Sequence, residues 1–80
     1  MLDTDLTNNQ LNMLKIINDL IIKRGISPTI TELAEPAGIW RNAAFDTVKS
    51  LIRKGYITKL ERIPRSIQIT EKGRELLAKT

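Results

Sequence analysis

The chain of 80 residues carries 13 Lys and Arg against 9 Asp and Glu, with no cysteine and no histidine. Such a length supports one domain. The composition removes disulfides, zinc-thiolate sites, and the commonest general base and metal ligand together, so neither an enzyme nor a metal or cofactor is expected. No apolar run approaches the roughly 20 residues that span a bilayer. The opening MLDTDLTNN lacks the basic region and apolar core of a signal peptide. A cytoplasmic protein without a membrane partner is therefore expected.

The net charge of +4 is unevenly placed. Residues 1–40 hold three Lys or Arg against five Asp or Glu, a net of −2, whereas residues 41–80 hold ten against four, a net of +6. A basic second half points to a polyanion as partner.

Thr7 and Gln10 have the spacing of a capping box, and Leu6 and Leu11 that of a hydrophobic staple. They predict a helix over about Asn8 to Arg24 after a loose terminus at residues 1–6. Leu11, Leu14, Ile17 and Ile21, with Met13 and Leu20 beside them, form its core stripe. Lys23 and Arg24 suit the negative end of the helix dipole, and Gly25 closes it. Pro28 biases Ser27 away from helix, so the link reads as a short extended strand. Thr29 and Glu32 form a second capping box, opening a short helix through Ile30, Leu33 and Ala34. Pro36 removes a backbone donor, which predicts that this helix is very short, kinked or ended near Glu35. Gly38 is expected to take a positive φ in the turn that follows.

A third helix is predicted over about Asn42 to Lys54, stopped by Gly55. Ala44, Val48 and Leu51, with Ile52 alongside, are assigned to the core; Arg41, Asn42, Phe45, Asp46, Lys49 and Arg53 fall toward the opposite side. After Gly55 the period changes. Tyr56 to Leu60 and Ser66 to Thr70 are β-prone runs, with Ile67 and Ile69 on one buried face. Between them lies a Pro-containing turn over residues 61–65, with Arg62 and Arg65 on either side of its tip. Thr70 caps a last helix, Glu71 to about Lys79, whose Leu76 and Leu77 pack on the domain or on a second subunit. The order defines an α+β fold over residues 1–80, a small winged helix-turn-helix domain. It has three helices, a two-stranded wing hairpin and a short C-terminal helix.

The segments LTNNQLNMLKIINDLIIKRGISPTITELAEPAGI, NAAFDTVKSLIRKGYI and RSIQIT resemble the N-terminal DNA-binding domain of the LexA repressor family over about Leu6 to Thr70. The matching marks include Gly-x-x-Pro-Thr before the second helix, Asn-Ala-Ala in the third and Lys-Gly before the first wing strand. No stretch matches that family's self-cleaving peptidase domain, so autoproteolysis is not expected. The resemblance implies a sequence-specific double-stranded DNA-binding transcriptional regulator, a repressor. Helix 42–54 would enter the major groove, with the wing 61–65 on the backbone or minor groove. A homodimer, at least on DNA, is implied as well; no effector is indicated. Asn42, Ala43, Phe45 and Asp46 match the family's base-reading segment. Asn can bond bidentately to adenine, Arg41 can bond guanine or phosphate, and Ala43 can touch a thymine methyl. Lys49, Arg53, Lys59, Arg62 and Arg65 are expected on phosphates, and the amide at Thr29 offers an anion site.

Trp40 stands where the family holds a capping serine. Tryptophan cannot cap, which makes Asn42 the candidate cap and would withdraw its side chain from base reading. For Trp40 and Phe45 two outcomes stay open: one packs inside, or both are exposed and form a thymine-contacting or protein-binding patch. The second keeps an alternative function in play, a winged-helix protein-interaction module using the Trp40/Phe45 surface. Asp46 would be repelled near phosphates unless it meets a cytosine amino group or pairs with Lys49 or Arg53. Asp3 and Asp5, in the loose terminus, do not form a catalytic dyad.

Overall fold

The computed structural model describes residues 5–80. In chain order it has α1 (Asn8–Arg24), α2 (Ile30–Ala37), α3 (Arg41–Arg53), β1 (Ile57–Thr58), β2 (Gln68–Ile69) and α4 (Glu71–Ala78). Both capping boxes form. Gln10 N–H donates to Thr7 Oγ1 at 3.2 Å while Thr7 N–H donates to Gln10 Oε1 at 3.1 Å. Glu32 N–H donates to Thr29 Oγ1 at 3.2 Å and Thr29 N–H to Glu32 Oε1 at 2.8 Å. Each box satisfies two end groups that a helix would otherwise leave unpaired.

α2 and α3 pack against each other, and both against α1. Leu14 and Ile17 of α1, Leu33 of α2, and Ala44 and Leu51 of α3 are fully buried. Ile52, expected with them, is 38% exposed. On an ideal helix it lies about 80° around the axis from Ala44, whereas Val48 and Leu51 lie within about 40°.

α2 and α3 end in the same way. Ile39 N–H donates to Ala34 O and Gly38 N–H to Glu35 O; Tyr56 N–H donates to Leu51 O and Gly55 N–H to Ile52 O. These paired bonds are the Schellman closure, which needs a left-handed residue. Gly38 (φ 68°) and Gly55 (φ 87°) supply it. Pro36 does not stop α2 at Glu35; the helix continues to Ala37. Its missing N–H forfeits one bond in the last turn, which the closure at Gly38 compensates.

The strand expected between the first two helices does not form. The sheet has two antiparallel strands, pairing Ile57 with Ile69 and Thr58 with Gln68. Pro28 has no N–H to give a ladder, and Ser27 approaches the hairpin by its side chain instead, its Oγ accepting from Ile67 N–H at 2.9 Å. Ile57, Ile67 and Ile69 are buried, as is Leu76, which α4 packs back onto the domain.

The chain at Asp5 and Leu6 is not loose. Tyr56 Oη donates to Asp5 Oδ1 at 2.8 Å, Lys54 Nζ donates to Asp5 O at 2.7 Å, and Leu6 packs on the core. The Tyr56 hydroxyl holds the Asp5 carboxyl below its ordinary pKa. Residues 1–4, Asp3 included, lie outside the described residues.

α4 is seated by a close approach. Thr70 N–H donates to Tyr56 O at 3.1 Å and Thr70 Oγ1 to Gly55 O at 2.6 Å, and Gly73 comes to lie against Tyr56 and against Ile69 of β2. A Cβ at Gly73 would collide with Tyr56 O and stand 2.8 Å from Ile69 Cγ2. Gly73→Ala should therefore lower the thermal midpoint despite alanine's better helix propensity, at a cost of about 1–3 kcal/mol in a denaturant melt.

Candidate nucleic-acid interface

With Ala44, Val48 and Leu51 turned inward, α3 exposes Arg41, Asn42, Ala43, Phe45, Asp46, Lys49 and Arg53. The helix begins one residue earlier than expected, and its N-cap is Trp40. That residue makes no side-chain capping bond, but its carbonyl accepts from Ala44 N–H at 2.9 Å. Asn42 is therefore not the cap; it lies in the first turn with its side chain exposed. Trp40 is 87% exposed and Phe45 41%, so neither aromatic packs inside.

The wing sits beside this helix. A cleft of about 280 Å³ is lined by Thr29, Ile30 and Thr31 at the start of α2, Phe45 of α3, and Lys59, Arg62 and Pro64 of the wing. Four residues selected from the sequence, Thr29, Phe45, Lys59 and Arg62, thus meet on one concave surface. Ile30, Phe45 and Pro64 give it apolar lining, and Lys59 and Arg62 bring two cations to it. Arg62, with φ 65°, is the one non-glycine residue with a positive φ among the described residues. That conformation closes the turn in which Ile63 N–H donates to Leu60 O at 3.3 Å, and holding a non-glycine residue there costs about 1 kcal/mol or more.

Two expected phosphate sites are otherwise engaged. The Thr29 amide is taken by Glu32 Oε1, so it is not an open anion site, although its hydroxyl hydrogen remains to donate. Arg65 grips Glu32 through both ends of its guanidinium, Nη1 to Oε1 at 2.8 Å and Nη2 to Oε2 at 3.1 Å, and Nη1 also donates to Ser27 O at 3.1 Å. Arg24 lies 3.7 Å from the same carboxylate, a weaker contact than the fork. The Arg65 bonds, with the Thr29 amide, hold the Glu32 carboxyl down at about 2. Sequence reading recognised Glu32 as a capping residue but missed its pairing with Arg65. The two are 33 positions apart, and no local spacing signals the contact. Thr31 was missed for the same reason. Among the described residues, no cluster of acidic side chains is placed to hold a metal ion, and no helix is long and apolar enough to cross a membrane.

Three helices followed by a two-stranded wing define a winged helix-turn-helix domain. Solved structures agree: the M. tuberculosis transcriptional regulator MosR, in complex with DNA, is similar with a TM-score of 0.75 and 30% identity over 92% of this chain and 55% of that one. A multiple antibiotic-resistance repressor (MarR) from Listeria monocytogenes is similar with a TM-score of 0.74 and 25% identity, over 94% and 49% of the two chains. A family model for the LexA DNA binding domain matches residues 3–66. The LexA repressor of Magnetococcus marinus is 34% identical over 70 residues, 88% of this chain and 30% of that protein. The LexA repressor of Lactobacillus johnsonii is 37% identical over 71 residues, 88% and 34% of the two. The chain belongs to the LexA DNA-binding domain family, and it spans about a third of the length of these curated relatives.

Because the Glu32 pKa is depressed from its ordinary 4.5, its contribution to stability is complete above about pH 4.5 and disappears as pH falls toward about 2. Glu32→Gln should remove that acid limb. Thermal melts across the same window should show the wild type losing its advantage over the variant, and high salt should shrink the difference because the pair is half-exposed.

Proposed function

We propose that this chain is the sequence-specific double-stranded DNA-binding domain of a transcriptional repressor, with α3 in the major groove and the wing, residues 61–65, on the flanking backbone or minor groove. The observation that carries the reading is the joining of the exposed α3 face to the wing cations across one cleft. A duplex docked there meets polar side chains at its base edges and positive charge at its backbone. Arg41, Asn42, Ala43 and Asp46 suit base edges: guanine or phosphate for Arg, adenine for Asn, a thymine methyl for Ala, a cytosine amino group for Asp. Phe45, at the cleft, suits a thymine methyl or a deoxyribose face. Lys49, Arg53, Lys59 and Arg62, with the Thr29 hydroxyl, serve as phosphate contacts that set register. Arg65 is reassigned from phosphate contact to support of the wing.

The relatives favour DNA as partner over the protein-interaction alternative. The exposed Trp40 then stands at the groove edge beside Arg41, where its ring can cover a sugar or a thymine methyl. Two copies on an inverted repeat are part of the proposal, as is a cytoplasmic protein bound to the nucleoid.

Lys49→Ala and Arg62→Ala should each weaken binding to all duplexes and flatten the dependence of log affinity on log salt by about 0.9, as expected for one lost phosphate contact. Mobility shifts across a salt series measure this. Unchanged affinity in the double variant would exclude the assignment. Selection from a random duplex pool should enrich two inverted half-sites separated by about one helical turn or a multiple of it. Enrichment of a lone half-site would count against the dimer.

A further inference from the structure

We propose that Glu32 is a positioning residue for DNA binding: through Arg65 it fixes the angle of the wing against α3, so that Lys59 and Arg62 face the backbone beside the groove that α3 enters. The positioning role rests on the DNA-binding reading above; the clamp beneath it does not.

The wing needs such a support. Its ladder consists of two residue pairs, at Ile57 and Thr58, and a two-stranded hairpin is marginal by itself. Ile57, Ile67 and Ile69 anchor its base in the core, but residues 60–65 are all exposed. The tip is braced internally by Ser66, whose hydroxyl donates to Ile63 O at 2.6 Å and accepts from Leu60 N–H at 3.0 Å, which joins its two sides into one unit. What ties that unit to the helices is the Arg65 fork on Glu32 together with the bond to Ser27 O. Glu32 is itself held, because Oε1 also accepts from Thr29 N–H and the next residue, Leu33, is fully buried. A planar fork on a carboxylate fixes direction as well as distance, which a single ammonium does not. The carboxylate also neutralises Arg65, leaving Lys59 and Arg62 as the cations the wing turns toward the cleft.

The test uses Glu32→Gln, which keeps a residue able to complete the capping box, and Arg65→Lys, which keeps the charge and leaves the α2 cap untouched. Without DNA, limited trypsin digestion reads cleavage after Arg62, with cleavage within α1 after Lys15 reporting global unfolding. Both variants should be cut after Arg62 about fivefold faster, with Lys15 unchanged, as expected from losing a charge-assisted fork that is partly solvated. With DNA, both should flatten the salt slope by about 0.9. Arg62→Ala, costly in the wild type, should then add little in the Glu32→Gln background, whereas Lys49→Ala should cost the same in both. Unchanged cleavage after Arg62 overturns the clamp. Faster cleavage with an undiminished Arg62→Ala effect in the Glu32→Gln background overturns the positioning role. Faster cleavage in a protein that binds no duplex overturns the DNA-binding reading and the positioning role with it, while the clamp itself stands.

Discussion

A hairpin with two ladder pairs cannot hold a wing in place by its own hydrogen bonds. Ser66 braces the tip internally, but the attachment of the wing to the domain depends on what the rest of the chain lends it. The core lends burial to Ile57, Ile67 and Ile69, Ser27 lends a hydroxyl to Ile67 N–H, and Glu32 lends a carboxylate to Arg65. The last is the farthest reaching, since Glu32 also caps α2. One side chain thereby links the start of the helix-turn-helix to the tip of the hairpin.

The helix-turn-helix unit is held by backbone closure at the helix ends as well as by the packing of α2 on α3. Schellman bonds end both α2 and α3, with glycine in the left-handed position each time. The first closure turns the chain within Gly38 and Ile39 into α3; the second turns it from α3 into β1. Burial of Ala44, Val48 and Leu51 then fixes the rotation of α3 about its axis, which determines that Asn42, Asp46, Lys49 and Arg53 look outward. The outward face is a consequence of what the inward face must bury.

The other end of α3 is tied to the chain's beginning. Lys54 donates to Asp5 O and to Gln10 Oε1, while Lys72 donates to Lys54 O and lies 4.5 Å above the Tyr56 ring. Two of the ten cations of the second half, Lys54 and Lys72, are thus drawn into structure, and Arg65 is a third. The basic half of the sequence is consequently less free for a polyanion than its charge count suggests. Of the seven that remain, Arg41, Lys49 and Arg53 are on α3, Lys59 and Arg62 are in the wing, and Arg74 and Lys79 are in α4 and at its end.

Local signals were sufficient for most of the fold. Thr7 with Gln10, Thr29 with Glu32, and Gly25, Gly38 and Gly55 place helix ends because capping chemistry acts over three or four residues and is written in adjacent letters. The apolar periods of α1 and α3 likewise select the core. Where a residue could serve two ends, local rules failed. Pro36 left open a very short helix, a kink or an end near Glu35, and the helix is short but runs to Ala37; Asn42 was expected to cap a helix it instead sits inside, and Ile52 to be buried at the rim of its stripe. The Arg65–Glu32 fork, the Tyr56–Asp5 bond and the meeting of Phe45 with Lys59 and Arg62 join residues far apart in sequence. Nothing adjacent encodes such contacts. They exist because three helices closing on one core bring those positions to the same place, and that closure is decided by tertiary packing alone.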